Sequence, residues 1–400
     1  MRKVKIYLYA LCLIIVTVAV ILHPNAVLEA SKRGLKMWWE IVFPSLLPFF
    51  ILSEILIAFG LVAFIGVLLE PLMRPLFNVP GQGGFVWAMG LVSGFPAGAK
   101  LTARLRQEKQ LTKIEAERLV SFTNSSNPLF IIAAISIGFF ENKYLGLLLA
   151  ICHYLANISV GLIMRFWNKQ DDYRHNSQAR PSIGRAFEAL YLAKEKEKRP
   201  FGKILGDAVT RSVETLLLIG GFIILFSVLN QVLSIIHFSD LIAKVIELVL
   251  YFFTIDTNLS LPVVAGLFEI TLGGKLISSI HSASLFEQLI VTSFILGFSG
   301  FSVQAQVASI LAETDISFKP FFIGRILQGC FAAFFTVVLF KPLYLNLHST
   351  NEIPTFLHNT TVFVTNLNIL KVGPVFTILF LILYIIIYGK RVLNDLSKKS

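Results

Sequence analysis

Polar residues that interrupt apolar stretches are the ones able to carry chemistry in this chain. Glu269 lies in the segment GLFEITLGGK, close to Thr271 and Lys275. An ionisable side chain within an apolar segment is costly to bury and is commonly functional. Glu269 can take up a proton, bind a cation or form a structural ion pair with Lys275, and we favour a role in coupling or gating. Glu54, in the plainer context ILSEILIAFG, is a second candidate for that role.

The segment GFVWAMGLVSGFPAGAK combines regularly spaced glycines with a proline. Pro96 has no backbone N–H and disfavours helix at Phe95, so we expect a break there that leaves two half-helices. The free N–H groups of a half-helix bind anions, and Lys100 can add a full positive charge. The alternative is tight helix packing, with Lys100 at a cytoplasmic helix end. We predict that Ser93, Gly94 and Lys100 contact the substrate.

A second kind of interruption occurs later in each half of the chain. SFTNSSNPLF places hydroxyl and amide side chains before a proline, and GFSGFSVQAQ mixes glycine with serine and glutamine. Within a bilayer such side chains must face protein or water. A kinked helix end near the membrane surface is the alternative for the first segment. The predicted site residues of this group are Asn124, Ser125, Asn127, Ser299 and Gln304, to which the earlier segment GLFEITLGGK adds Thr271. Arg325 and Gln328 in the following span are expected to face the same cavity.

The composition requires a membrane to hold these residues. The chain is 55% hydrophobic and 15% charged, with a mean hydropathy of +0.74, whereas soluble domains carry about 25% charged residues. The net charge of +11 comes from Lys and Arg in short segments between apolar runs, which argues against nucleic acid as a partner. The sequence has no P-loop, HExxH, CxxC or GxSxG motif, so we expect no enzyme activity, no cofactor and no metal site.

Apolar runs of about 18 residues or more predict eight transmembrane helices. They lie at 6–22, 41–58, 119–140, 144–166, 204–236, 288–311, 320–340 and 372–389. The glycine-containing segments at 83–99 and 259–280 are poor simple spans, and we interpret them as re-entrant helical hairpins. The first run lacks a clean cleavage site and is expected to be retained as a span. The predicted fold class is therefore an all-α polytopic membrane protein.

Basic loops predict the orientation of these spans. The loop at 167–203 holds nine Lys and Arg against five Asp and Glu, whereas 346–370 contains no Lys or Arg. The first loop should be cytoplasmic and the second external. Eight spans then place both termini in the cytoplasm. The basic segment EASKRGLKMWW does not fit this arrangement, because it falls on the external side.

The second half of the chain can be aligned with the first. The alignment pairs Gly90 with Gly266 and Phe122 with Phe298. A rival alignment pairs SGFPAGAK with SGFSVQAQ but leaves EITLGGK unmatched, and chance similarity between apolar helices is a further alternative. The charge-based topology makes the two units inverted, as in many secondary transporters. The predicted organisation is a span at 1–34, a first repeat at 35–166, a cytoplasmic loop at 167–203, a second repeat at 204–345, an external loop at 346–371 and a final span with a basic tail at 372–400.

The motifs SGFPAGAK, FTNSSNP, FEITLGGK and GFSGFSVQAQVASI, in this order, resemble the YlbJ-type sporulation integral membrane proteins, which carry two nucleoside-recognition, or Gate, domains. The resemblance covers residues 35–340. It implies a fold distantly similar to concentrative nucleoside transporters, expression in the mother cell and a place in the outer forespore membrane. It also implies a role in passing dipicolinic acid toward the forespore. The first hairpin lacks the acidic residue of nucleoside transporters, which argues against nucleoside recognition.

The predicted function is a secondary transporter or facilitator of a small anionic metabolite, with dipicolinate as the expected substrate. Two alternatives stay open. One is a nucleoside or ion transporter of the same fold, and the other is a non-transporting membrane scaffold in spore assembly whose basic loop docks a partner. The expected partners are the small-molecule anion and membrane lipids. Oligomerisation and contacts with other sporulation membrane proteins are left open.

Overall fold

The computed structural model describes residues 2–168 and 182–345. Every regular element in these ranges is helical and none is a β-strand, as the all-α prediction requires. The predicted span at 372–389, the loop before it and the centre of the basic loop lie outside the described residues.

The chain begins with two helices joined by a sharp bend. These are α1 (Arg2–Leu22) and α2 (Pro24–Met37), and α2 continues as a π-helical turn at Trp38–Val42. The axes of α1 and α2 differ by 101°. Pro24 begins α2, where its missing N–H costs no helical hydrogen bond.

A run of five structural units follows. It consists of α3 (Phe43–Ala58); α4 (Leu61–Phe77); hairpin 1, made of α5 (Gln82–Ser93) and α6 (Ala97–Gln107); a first broken helix, made of α7 (Lys113–Thr123) and a π-helix (Phe130–Phe139); and α8 (Leu145–Met164). Helices α3 and α4 meet at 84°. Gly60 joins them with a φ of +80°, a conformation that favours glycine.

The second half repeats this order of units. After the connecting helix α9 (Ile183–Lys196) come α10 (Phe201–Ile235); α11 (Phe238–Phe252); hairpin 2, made of α12 (Ser260–Phe268) and α13 (Ile270–Ser278); a second broken helix, made of α14 (Leu285–Phe298) and α15 (Gly300–Leu311); and α16 (Phe318–Phe340). The pairing of Gly90 with Gly266 relates hairpin to hairpin, whereas the rival alignment relates a hairpin to a broken helix.

Packing between the two runs is reciprocal. In hairpin 1, α6 contacts α7 of its own run and α15 of the other run. In hairpin 2, α13 contacts α14 of its own run and the π-helix Phe130–Phe139 of the other. Helices α8 and α16 pack along each other, and each also contacts the broken helix of the opposite run. Each hairpin therefore lies between the two broken helices.

Several helices are suited to crossing a membrane. Four in the described residues are long and apolar enough to do so, or up to six elements if each bent pair counts as one span. The four are Leu145–Met164, Phe201–Ile235, Leu285–Leu311 and Phe318–Leu345. The predicted run at 119–140 is instead interrupted between α7 and its π-helix. A polytopic helical membrane protein is thus supported, and the number of eight spans stays a prediction.

Glycines fit hairpin 1 closely around the end of α7. A Cβ atom at Gly90 would lie 2.0 Å from the carbonyl oxygen of Thr123, and one at Gly98 would lie 2.1 Å from the same atom. Gly90 is on α5 and Gly98 is on α6, so both arms of the hairpin contact this one carbonyl group. No residue with a side chain fits either position unless the backbone moves.

We expect Gly98→Ala to lower the thermal unfolding midpoint of the purified protein in detergent, because overpacking a tight contact costs about 1–3 kcal/mol. Gly221→Ala is the matched control, since a Cβ atom at that helical position would meet nothing within 4 Å. The control should be neutral or stabilising, because alanine within a helix is more stable than glycine by roughly 0.5–1 kcal/mol. Equal midpoints for the two variants would contradict the close packing of hairpin 1.

Candidate functional site

A cavity of about 670 Å³ lies where the hairpins and broken helices meet. This volume is in the range of small-molecule sites. The polar and charged residues that line it are Glu40, Ser93, Ser126, Asn127, Glu269, Thr271, Ser302 and Gln306. The aromatic residues that line it are Phe95, Phe130 and Phe139. The cavity thus draws residues from both hairpins and both broken helices, which the sequence motifs marked as candidate site segments.

The tip of hairpin 1 forms one wall. Helix α5 ends at Ser93 and α6 begins at Ala97, so the break expected before Pro96 is present. Gly94 bridges the two helices with a φ of +82°, where a side chain would be strained. The Ser93 hydroxyl is buried and has no hydrogen-bond partner among the described residues. Ser93 and Gly94 both line the cavity, as predicted residues of the site.

The first broken helix supplies the neighbouring wall through Asn127. Its Nδ2 donates to the backbone carbonyl of Ser93 at 3.2 Å, and its Oδ1 accepts the Phe130 N–H at 2.7 Å. Asn127 therefore links the tip of hairpin 1 to the start of the π-helix and satisfies one free N–H group there. A single side chain holds both parts of the wall in register.

Side chains of α8 satisfy the rest of this unwound segment. His153 Nε2 accepts the Ser126 N–H at 3.1 Å and lies 2.9 Å from the Ser125 hydroxyl. Tyr154 donates its hydroxyl to the Ser126 carbonyl at 3.1 Å. Asn157 donates to the carbonyl of Phe122. Backbone groups cannot be left unpaired inside a bilayer, so α8 makes the break tolerable.

Arg325 of α16 holds the same segment from the other side. Its Nη1 donates to the Asn124 carbonyl at 2.5 Å and its Nη2 to the Ser121 carbonyl at 2.6 Å. The side chain is fully buried and does not line the cavity. The predicted residues Asn124 and Ser125 also lie in this layer behind the lining, where both polar atoms of the Asn124 side chain lack partners among the described residues.

Hairpin 2 places Glu269 on the cavity at the start of α13. Its Oε1 accepts the Thr271 hydroxyl at 2.5 Å and its Oε2 accepts the Leu272 N–H at 2.7 Å. A carboxylate is favourable at a helix N-terminus because the helix dipole is positive there. No base in the described ranges forms an ion pair with Glu269, so the alternative pairing with Lys275 is absent.

The second broken helix turns at Ser299, which has a φ of +68° and a buried hydroxyl without a partner in the described residues. Gln304 Nε2 donates to the Phe298 carbonyl at 3.1 Å and so provides a partner for a backbone group at the helix break. Neither residue lines the cavity. Ser302 and Gln306 of α15 do so; both belong to the polar GFSGFSVQAQ segment marked by the sequence, but neither was among the predicted substrate-binding residues. Ser302 and Gln306 are four residues apart and so share one face of a helix, with Gln304 between them in sequence, and this spacing was the signal that could have identified them.

Glu54 and Lys100 belong to a separate charged cluster. Glu54 of α3 is buried, forms an ion pair with Arg104, and lies 3.7 Å from both Lys100 and Arg211. Lys100 Nζ also donates to the Thr215 hydroxyl at 2.8 Å. Neither Glu54 nor Lys100 lines the cavity. Their contacts join hairpin 1 to α3 and α10.

The cavity itself is acidic in its ionisable groups. Glu40 and Glu269 line it, and among the described residues no Lys, Arg or His does so. The remaining polar lining consists of hydroxyl and amide groups. Any positive electrostatic contribution to this site must come from helix N-termini or from residues behind its wall.

Comparisons with known proteins identify the family. A family model described as Gate, nucleoside recognition, matches residues 39–141. The sporulation integral membrane protein YlbJ of Bacillus subtilis (strain 168) is 55% identical over 406 residues, which covers 100% of this chain and 99% of that protein. The chain belongs to the YlbJ family. An uncharacterized protein of Alkalihalophilus pseudofirmus is 33% identical over 114 residues, or 28% of this chain and 23% of that protein.

No solved structure matches the chain. Membership of the YlbJ family confirms the resemblance found in the four motifs and makes the chain an integral membrane protein of sporulation. The Gate match spans α3 to the π-helix of the first broken helix, so it includes hairpin 1 and Asn127.

We expect Glu54→Gln to destabilise this YlbJ family member by about 2–3 kcal/mol, because it leaves three neighbouring bases without their shared acid. The cost is below that of a fully buried pair, since the Arg211 side chain is 49% exposed. Thermal unfolding in detergent measures the change. Glu29→Gln is the control, because Glu29 and its partner Lys32 are each 60% exposed and exposed pairs contribute about 0–1 kcal/mol. Equal effects would show that the cluster adds nothing.

Proposed function

We propose that this protein is a membrane transporter, either a secondary transporter or a facilitator, of a small anionic metabolite during sporulation. The most suitable substrate is dipicolinate, moved across the outer forespore membrane toward the forespore. The observation that carries the proposal is the cavity shared by two helical hairpins and two broken helices. A scaffold protein needs no such cavity, whereas a transporter binds its cargo where discontinuous helices meet.

The chemistry of the lining suits an aromatic dicarboxylate. Phe95, Phe130 and Phe139 offer apolar surface for a ring. Carboxylates accept hydrogen bonds, and the Ser93 and Ser302 hydroxyls are buried donors without partners in the described part of the chain. The N-terminus of α6, just beyond Gly94, adds a partial positive charge near this wall. Glu269, on the opposite hairpin, is our candidate for coupling or gating.

We further propose that the two five-unit runs form an inverted repeat. The support is the repeated order of units and the reciprocal packing, in which each hairpin contacts the broken helices of both runs. Inverted repeats let a transporter expose one central site to either side of the membrane by exchanging the conformations of its halves. Both termini would then be cytoplasmic, with the basic loop at 167–203 on the same side.

A nucleoside is the second candidate substrate, and two observations favour it. The matching family model is described by nucleoside recognition. The cavity is also lined by Glu40 and Glu269 together with amides and hydroxyls, and no base lines it within residues 2–168 and 182–345. Such groups can form hydrogen bonds with ribose hydroxyls and with the edges of a nucleobase.

Uptake of labelled dipicolinate into proteoliposomes containing the purified protein tests the proposal, with labelled uridine run in parallel. We expect saturable dipicolinate uptake that empty liposomes lack. Saturable uptake of uridine alone would move the substrate to nucleosides and keep the transporter. Absence of uptake of both, with protein that is folded and inserted, would contradict the transporter and favour the scaffold.

We expect Asn127→Ala to reduce dipicolinate uptake about tenfold or more, because it removes two hydrogen bonds that together contribute about 1–3 kcal/mol. These bonds hold the tip of hairpin 1 against the broken helix. Ser159→Ala is the matched control, since Ser159 is a partly buried polar residue of α8 that does not line the cavity and whose hydroxyl donates to the Leu155 carbonyl of its own helix. A normal uptake rate for Asn127→Ala would remove this wall from the proposed site.

A further inference from the structure

We propose that Arg325 determines the charge selectivity of the cavity, although it does not line it. The inference rests on the proposed function, because it explains how a cavity with acidic lining can favour an anion. Arg325 would act as a positioning residue through the unwound segment that it binds, and as a fixed positive charge behind the wall.

The need for such a charge follows from the lining. Glu40 and Glu269 are its ionisable groups, and both carry negative charge when ionised. Lys100 is a base on hairpin 1, but its ammonium group contacts Thr215 and Glu54, and it does not line the cavity. Helix N-termini supply only partial charges. A dianion entering this cavity therefore requires a full positive charge from elsewhere.

Arg325 has the properties required of that source. Guanidinium groups remain charged in proteins. Arg325 is fully buried, and in the described ranges no carboxylate forms an ion pair with it. Its hydrogen bonds go to the carbonyls of Ser121 and Asn124, and its Nε has no partner there. Its charge is therefore offset by carbonyl dipoles and by the Phe321 ring, whose centroid lies 5.3 Å from the guanidinium carbon, and not by a carboxylate of the described residues, which leaves a net positive field at this wall.

The neighbouring histidine does not supply a second charge. His153 Nε2 accepts the Ser126 N–H at 3.1 Å, so that nitrogen carries no proton. A histidine that accepts through one ring nitrogen is neutral. Gln328, whose Nε2 lies 3.3 Å from the same nitrogen, is neutral as well. Among these buried side chains the full charge belongs to Arg325.

The route from Arg325 to the cavity is short along the chain. Arg325 binds the carbonyl of Asn124, and Ser126 and Asn127, two and three residues later, line the cavity. Ser121 and Asn124 lie at the C-terminal end of α7, where the helix dipole is negative. Without Arg325 this end would repel an anion. With it, the end becomes attractive.

The expected effect depends on the charge of the substrate. At a separation of about 10 Å and an effective dielectric constant of about 20, one fixed charge changes the affinity for each unit of substrate charge by on the order of tenfold. Removing the Arg325 charge should thus raise the KM of a dianion about tenfold more than that of a monoanion. A purely structural defect would raise both KM values by the same factor.

The test compares uptake of dipicolinate, with two carboxylates on its ring, and picolinate, with one, into proteoliposomes. We expect Arg325→Met to change the ratio of their KM values about tenfold in favour of picolinate. Arg325→Lys keeps the charge but loses the two-pronged contact with the carbonyls. It should raise both KM values by a common factor and preserve the ratio.

Arg118→Met is the matched control. Arg118 is also almost fully buried and donates to backbone carbonyls, those of Trp167 and Asn78, but neither its side chain nor these two partners line the cavity. Its loss should leave the KM ratio unchanged. An unchanged ratio in Arg325→Met, an equal shift in Arg118→Met, or a lost ratio in Arg325→Lys would each overturn the inference. If the methionine variant does not fold, Arg325→Gln takes its place, because its amide can still donate to a carbonyl while the positive charge is lost, and the same change in the KM ratio is expected.

These outcomes separate the inference from the function on which it rests. Wild-type protein that transports neither compound would refute the proposed function and the selectivity together. Wild-type protein that transports both, with variants that leave the ratio unchanged, would keep the transporter and refute the role of Arg325.

Discussion

The unwound segment after α7 is the constraint on which the rest of the structure depends. A helix that breaks within a membrane exposes peptide groups that lipid cannot satisfy. Here His153, Tyr154 and Asn157 reach the segment from α8, and Arg325 reaches it from α16. Helices α8 and α16, which pack along each other, are thus held together by their hydrogen bonds to this shared segment as well as by apolar contact. The same break gives the cavity its polar wall, so the cost of unwinding and the site have one origin.

The two hairpins solve the same problem with different residues. Hairpin 1 turns through Gly94 and leaves the Ser93 hydroxyl available. Hairpin 2 turns at Glu269, whose carboxylate caps the next helix. Aligned positions in the two halves therefore carry a neutral donor on one side and an acid on the other. An asymmetric site therefore follows from a repeated framework.

Much of this arrangement could be predicted from the sequence, because glycine, proline and polar residues are rare within apolar runs and mark breaks directly. The break near Ser93 and the hairpin at 259–280, which contains Glu269, were predicted in this way, and both Ser93 and Glu269 line the cavity. The position of Lys100 outside the cavity could not be predicted, because the charge pattern of the sequence does not show that Glu54 and Thr215 lie beside it. Ser302 was missed for a related reason: the side of a half-helix that faces the cavity depends on its rotation, which a short segment leaves undetermined.

The contacts of hairpin 1 differ in physical kind on its two sides. Toward α7, Gly90 and Gly98 enclose the Thr123 carbonyl by shape alone. Toward α3 and α10, the hairpin is held by Glu54 with its bases. Shape-based packing is insensitive to dissolved ions, whereas contacts between partly exposed charges weaken over a Debye length of about 8 Å at physiological ionic strength. The Arg211 side of this charged cluster, where the side chain is 49% exposed, is therefore the part of the hairpin's support that responds to the ionic content of the compartment around it, whereas the contact with α7 does not.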